Sequence, residues 1–160
     1  MPSKRRKPRA RRRQGSAPRF GCGVDVVELP RFRQALARGG ELFMRRIFTA
    51  REAAYARARR KTSLLHLAGR FAAKEAVIKA LSQVDPARVP AMNQVEVRND
   101  RFGRPSIVLH DRGGHPARAG SPRKSCRRRR RDDRRHRRLQ VHISLSHVDT
   151  VAVASAIVIQ

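Results

Sequence analysis

The 160-residue chain has only two cysteines, Cys22 and Cys126, and no run of apolar residues long enough to cross a bilayer. Two cysteines in unlike surroundings are too few for a disulfide framework or a zinc site, and a membrane-spanning helix needs about 20 apolar residues in succession. No apolar stretch follows the basic N-terminus to complete a signal peptide. We therefore expect a soluble protein of the reducing cytoplasm, without a membrane partner.

Aromatic and acidic residues are also scarce. Aromatics make up 4% of the chain, with no tryptophan, and only 12 acidic residues face 39 lysines and arginines. The resulting net charge of +27 is typical of nucleic-acid-binding proteins. However, almost no aromatic side chains are available to stack on bases, and no known RNA-binding module is recognised. Sequence-specific recognition of nucleic acid is therefore not supported.

The positive charge is concentrated in two segments. Residues 1–19 carry nine lysines and arginines and no acid, and residues 111–138 carry thirteen against three aspartates. We predict a disordered basic tail at 1–19 and one domain at 20–160, interrupted at 111–138 by an Arg-rich, low-complexity excursion. Non-specific binding of polyanions such as RNA by these segments is an alternative function, or one that coexists with another.

The rest of the chain predicts five strands and three helices. A capping box at Thr49–Glu52 opens the second helix, and the third is long and rich in alanine. Strands are expected at 24–27, 94–98, 106–109, 141–147 and 151–159, and helices from Pro30 to Gly39-Gly40, from Thr49 to about Arg59 and from Thr62 to Ser82. This order predicts an α+β fold with a mainly antiparallel sheet packed on the long central helix.

Several charged residues stand where strands and helices should be apolar. Asp25 interrupts the first strand, and Glu75 lies on the central helix one turn before Lys79. Two carboxylates from different elements suit a hard cation such as Mg²⁺, although a solvated Asp25 and a Glu75–Lys79 helix pair explain them without a site. Lys74 falls in the middle of the apolar stripe, where it is either functional or a structural lysine with a buried stem and a paired charge.

Three segments are much more specific. They are Gly21-Cys-Gly-Val-Asp-Val-Val-Glu-Leu29, Gly69-Arg-Phe-Ala-Ala-Lys-Glu-Ala76 with Lys79-Ala80, and Val141-His-Ile-Ser-Leu-Ser-His147. In order and spacing they closely resemble the holo-acyl carrier protein synthases, small members of the phosphopantetheinyl transferase superfamily. The resemblance covers roughly residues 20–110 and 139–160. It implies a phosphopantetheinyl transferase-like fold and an enzyme that moves phosphopantetheine from coenzyme A to a serine of apo-acyl carrier protein, releasing adenosine 3',5'-bisphosphate.

The resemblance also implies roles for individual residues at the reacting centre. Asp25 and Glu75 match the family's Mg²⁺ ligands. Lys79 matches a lysine near the coenzyme phosphates and the reacting centre. Glu75, directly or through a metal-bound water, is a candidate base for the carrier serine, although the resemblance does not decide which group takes that proton.

Further positions match the family's binding surfaces. Arg70 and His147 correspond to positions that contact coenzyme A. Arg31 and Arg38 lie on the outward face of the first helix, which matches the basic helix that docks the acidic carrier protein. Small members of the family are commonly homotrimers, with active sites shared between subunits.

The sequence departs from the family after the central helix. The family usually has a glycine-containing turn there, whereas this chain has Leu81-Ser-Gln-Val-Asp-Pro86. Because glycine amides approach anions closely, contacts with phosphate on that side are in question. An inactive relative that acts as a scaffold is a further alternative, against which the retained Asp25 and Glu75 argue.

Overall fold

The computed structural model describes residues 19–111 and 139–160. The predicted basic tail and Arg-rich excursion lie outside the described residues, apart from Arg19 and Asp111 at their edges. The described parts of the chain form five strands and three α-helices. The strands are β1 (Phe20–Glu28), β2 (Val95–Asn99), β3 (Pro105–Leu109), β4 (Gln140–His147) and β5 (Val151–Ile159), and the helices are α1 (Leu29–Ile47), α2 (Ala50–Arg57) and α3 (Ser63–Val84).

The strands form two antiparallel sheets. The larger has the order β1-β5-β4, with Asp25 opposite Ala154 and His147 opposite Ala152. The smaller is the β2–β3 hairpin. Its turn is held by Asp100, whose Oδ1 accepts hydrogen bonds from the backbone amides of Phe102 and Arg104 at 2.8 and 2.9 Å. The α+β fold and the hairpin predicted from the sequence are confirmed.

Helix α3 forms the centre of the fold. Its alanines at 72, 73, 76 and 80 are fully buried, and β1 lies directly against them because two of its residues are glycines. A Cβ atom at Gly21 would overlap the carbonyl oxygen of Ala80, and one at Gly23 would overlap that of Ala76. Asp25 lies on the same side of β1, so this close approach brings it to α3. No helix within 19–111 and 139–160 is long and apolar enough to span a membrane.

Helix α1 differs from the sequence prediction. We expected it to end at Gly39-Gly40, but helical structure resumes after Gly40 and ends at Ile47. Gly40 itself is non-helical (φ 51°, ψ −144°), a left-handed conformation that glycine adopts readily. Beyond this break Phe43 packs against Phe32, with ring centroids 6.4 Å apart. The glycines therefore mark a kink, and the apolar residues after it attach the second half of the helix to the core.

Candidate active site

Asp25 and Lys79 meet at the contact between β1 and α3. The Lys79 ammonium donates to Asp25 Oδ1 at 2.8 Å and to the carbonyl oxygen of Val24 at 3.0 Å. The Asp25 side chain is 16% exposed and that of Lys79 is 48% exposed. The two residues are 54 positions apart in sequence. The structure thus joins two of the predicted site residues in an ion pair that local patterns do not predict.

Glu75 is half-buried on α3, one turn before Lys79 and beside Ala76, which abuts Gly23 of β1. It therefore lies on the part of α3 that β1 crosses next to Asp25. Within the described ranges no group of three or more His, Cys, Asp or Glu side chains could hold a metal ion. Two carboxylates do fit Mg²⁺, which keeps several waters and takes phosphate oxygens as ligands. The oxygens of Asp25 and Val24, which already hold an ammonium, are the hard donors that such an ion prefers.

Arg70, predicted to contact the coenzyme, is only 5% exposed. Its guanidinium donates to Asn99 Oδ1 at 2.8 Å and to the carbonyl oxygen of His66 at 3.2 Å. Its Nε is buried without a hydrogen-bond partner among the described residues. The side chain is thereby fixed between α3 and the hairpin, and only its edge can reach a ligand.

The ring of Tyr55 lies between two arginines. The guanidinium carbons of Arg59 and Arg70 are 3.5 and 4.0 Å from its centroid, and His66 meets the ring edge-on at 5.4 Å. Burial lowers the pKa of His66 below its ordinary value, and the charges of Arg70 and Arg59 lower it further. His147, exposed at the end of β4, makes a smaller contribution of the same sign.

The sequence analysis did not identify this group of residues. Tyr55 is the only tyrosine in a chain poor in aromatics, which is a weak signal, and its partners come from both sides of a turn. The group brings the exposed Arg59 next to the buried Arg70, and His66 lies within electrostatic range of both arginines and of His147. A cationic surface next to an aromatic ring is suited to an anionic ligand.

Lys74 is fully buried, and its contacts support the structural interpretation. Its ammonium lies 2.7 Å from Glu52 Oε2 and donates to the carbonyl oxygens of Ile47 and Met92 at 2.7 and 3.0 Å. Burial lowers the pKa of Lys74, and the neighbouring Glu52 carboxylate offsets that lowering only in part. Because three acceptors use all three ammonium protons, we assign the charged form. All three ammonium protons are held in these contacts, so we assign Lys74 no part in proton transfer.

Arg31 and Arg38, the predicted docking residues, are both exposed on α1. Arg38 directly precedes the Gly39-Gly40 kink, and the exposed Leu42 follows it. Both arginines therefore lie on the first half of α1, before the kink. Neither arginine lies in the group formed by Asp25, Glu75 and Lys79.

Glu96 is a second buried carboxylate that the sequence did not single out. Its Oε1 accepts from Arg98 Nε at 2.6 Å, and its Oε2 lies 2.7 Å from His110 Nε2. Burial by itself would raise the pKa of Glu96, but the hydrogen bonds from Arg98 and His110 outweigh it and lower the pKa. These contacts join β2 to the end of β3. We conclude that these contacts stabilise the hairpin.

Comparison with known proteins places the chain in one family. The sequence model described as the 4'-phosphopantetheinyl transferase superfamily matches residues 21–138. The holo-[acyl-carrier-protein] synthase of Koribacter versatilis is 33% identical over 138 residues, covering 86% of this chain and 96% of the relative. The same-named protein of Leptospira biflexa is 41% identical over 91 residues, covering 57% and 70%.

Solved structures agree with the sequence comparison. The ACPS–CoA complex of Chronobacterium ammoniagenes matches with a TM-score of 0.65 and 28% identity, covering 88% of this chain and 96% of that one. The region matched by the family model, residues 21–138, contains Asp25, Glu75 and Lys79. The resemblance noted in the sequence is confirmed, and the chain belongs to the 4'-phosphopantetheinyl transferase superfamily.

Proposed function

We propose that the chain is a holo-acyl carrier protein synthase. It transfers the phosphopantetheine group of coenzyme A to a serine of an apo-acyl carrier protein and releases adenosine 3',5'-bisphosphate, in a Mg²⁺-dependent reaction. The observation that carries the proposal is the contact between Asp25 and Lys79 across β1 and α3, with Glu75 one turn away. The names of the relatives and the coenzyme A complex of the C. ammoniagenes protein support the same substrates.

The reacting centre combines two carboxylates and an ammonium. Asp25 and Glu75 would hold Mg²⁺, and a bound divalent cation supplies charge neutralisation at the pyrophosphate. Lys79 binds the phosphates as a point charge. Glu75 is our candidate for the group that accepts the proton of the carrier serine, directly or through water, so that the serine oxygen can attack the β-phosphorus.

We assign coenzyme binding to Arg70 and His147. Arg70 is held by Asn99 and the His66 carbonyl, so it offers a preorganised edge rather than a mobile side chain. His147 is exposed and free to contact the ligand directly. Arg59, which stacks on the same Tyr55 ring as Arg70, adds a further positive charge there.

The carrier protein docks on α1 in this proposal. Arg31 and Arg38 are exposed there, and acidic partners are steered by such a surface. The large positive charge also supports non-specific polyanion binding by residues 1–19 and 111–138, as a second property of the same chain. A reducing cytoplasm is the setting that fits these substrates.

We further propose a homotrimer. The face of the larger sheet that points away from α3 exposes apolar side chains on two adjacent strands, namely Val24, Val26, Val153 and Ile157. Contiguous exposed apolar surface of this kind marks an interaction site. Light scattering of the purified protein would show three times the mass of the chain, and a strictly monomeric, active enzyme would contradict the assembly.

The activity is tested by incubating the protein with coenzyme A, Mg²⁺ and an apo-acyl carrier protein. Intact-mass spectrometry of the carrier should show the addition of one phosphopantetheine group. Asp25→Asn is the matched control, since it keeps the shape of the side chain and removes its charge. An unmodified carrier after incubation with wild-type enzyme would refute the proposed transfer for that carrier class, and a second, polyketide-type carrier separates substrate choice from lack of activity.

A further inference from the structure

Lys79 crosses from α3 to β1 and uses its ammonium to bind two oxygens, Asp25 Oδ1 at 2.8 Å and the Val24 carbonyl at 3.0 Å. Asp25 is largely enclosed, whereas about half of the Lys79 side chain is in contact with solvent. The cation that neutralises Asp25 therefore belongs to a flexible side chain with room to leave. By contrast, Lys74 on the same helix is fully enclosed by its three acceptors.

We propose that Lys79 is a competing cation at Asp25. Its ammonium remains paired with the Asp25 carboxylate until a divalent cation displaces the ammonium. The displaced ammonium is then free to bind the coenzyme phosphates. The inference rests on the proposed function of Asp25 as a ligand of Mg²⁺. It assigns to Lys79 a role in regulating access to Asp25, in addition to its role as a phosphate-binding charge.

The charges and the exposure support this exchange. Ion pairs with a partner this exposed favour the paired form by only about two- to fivefold. A divalent cation carries twice the charge of an ammonium and prefers the same hard oxygens. Displacing the Lys79 ammonium therefore costs little free energy. Because about half of the side chain is exposed, the ammonium can move without disturbing α3.

The exchange also prepares the site for an anionic substrate. Without a counter-charge, the Asp25 carboxylate would repel the phosphates of coenzyme A. The carboxylate of Glu75, one turn before Lys79 on α3, would add to this repulsion. With Lys79 bound, Asp25 is neutralised before any ligand arrives. Entry of the divalent cation then adds positive charge at Asp25 and releases a second positive charge for the phosphates, so the two binding events are coupled.

The test measures the affinity of the full-length protein for Mn²⁺, without coenzyme A, by electron paramagnetic resonance titration. Lys79→Met keeps the length of the side chain and removes its charge, and we expect it to bind Mn²⁺ about two- to tenfold more tightly than wild type. Lys61→Met is the matched control, because Lys61 is an exposed lysine in the turn before α3 and its removal changes the net charge equally. It should bind Mn²⁺ as wild type does.

Further variants separate this inference from the proposed function. Lys79→Gln should reproduce the gain, and adding Asp25→Asn to Lys79→Met should abolish it. If wild type binds Mn²⁺ through Asp25 but Lys79→Met and Lys79→Gln bind it no more tightly, the competition is refuted while the metal assignment stands. If no variant shows saturable Mn²⁺ binding without coenzyme A, the competition is refuted, and the transfer assay on Asp25→Asn then decides the metal assignment. Tighter binding in Lys79→Met together with an inactive wild type would retain the competition and refute the transferase activity.

Discussion

Replacing Lys74 by methionine should destabilise the fold strongly, because it leaves the buried Glu52 carboxylate without its cation. The Glu52 side chain is 1% exposed and that of Lys74 is 0% exposed, with 2.7 Å between Nζ and Oε2. Removing one partner of a buried ion pair costs about 3–5 kcal/mol. Glu52 still accepts from the backbone amides of Thr49 and Val97, both at 2.9 Å, so we expect a loss of about 3 kcal/mol. That is a large part of the stability of a typical domain, about 5–15 kcal/mol.

The assay is urea denaturation followed by circular dichroism, and Lys79→Met on the same helix is the matched control. The control removes a half-exposed ion pair and should cost less than about 1 kcal/mol. The double variant Lys74→Met/Glu52→Gln should lose less stability than the sum of the two single variants, since no buried charge remains. A loss of under about 1 kcal/mol in Lys74→Met would refute the structural role of the pair. The folded fraction of Lys74→Met should retain transfer activity.

Four further predictions concern the site and the charged segments. Asp25→Asn and Glu75→Gln should each abolish carrier modification in the mass assay while leaving the circular dichroism spectrum unchanged, because both carboxylates are assigned to the cation. Arg31→Glu should raise the KM for the carrier protein more than the KM for coenzyme A, and the difference should shrink as salt screens the charge. Because the pKa of His66 is lowered, unfolded His66 binds a proton near its ordinary pKa of about 6.5 that the folded protein does not bind. Stability should therefore decline as the pH falls below about 6.5, and this decline should be smaller in His66→Gln. Replacing residues 114–137 by a Gly/Ser linker should preserve transfer and lower the salt-sensitive affinity for RNA.

Each of these has a distinct contrary result. Near-normal turnover in either carboxylate variant would remove that residue from the metal assignment. Equal, salt-insensitive changes in both KM values would contradict docking through Arg31. A His66→Gln variant with the same acid sensitivity as wild type would move that sensitivity to another group. Loss of transfer in a folded linker variant would place the Arg-rich segment in the active site or subunit interface.

Much of the fold follows from local sequence patterns. The capping box at Thr49 and Glu52 is present with both hydrogen bonds, at 2.9 and 3.3 Å, and the hairpin and the long central helix occur where alternation and helix-forming residues predict them. These features depend on residues only a few positions apart. The continuation of α1 past Gly40 was not predicted, because it depends on the packing of Phe43 against Phe32. A pair of glycines by itself predicts the end of a helix.

The site was predictable only as a set of residues. Local patterns marked Asp25 as out of place in a strand, and family resemblance suggested its role, but the pairing with Lys79 joins residues 54 positions apart. The surroundings of Arg70 depend in the same way on Asn99 and Tyr55, which come from different elements. A single sequence contains no record of such distances. The contacts that set charge and orientation therefore required the structure.

Glu52 shows how a local signal can conceal a tertiary one. As the third residue of a capping box it needs only the amide of Thr49, which either Glu or Gln can satisfy. Here its other oxygen accepts from Val97, and its charge neutralises Lys74, so glutamine would cap α2 but leave Lys74 without a counter-charge. Through this pair α3 is fixed to α2 and β2 on one side, while Lys79 meets β1 through a half-exposed contact on another. The helix can thus hold Glu75 in place while the ammonium next to Asp25 moves, which is the combination that a site exchanging a lysine for a metal cation requires.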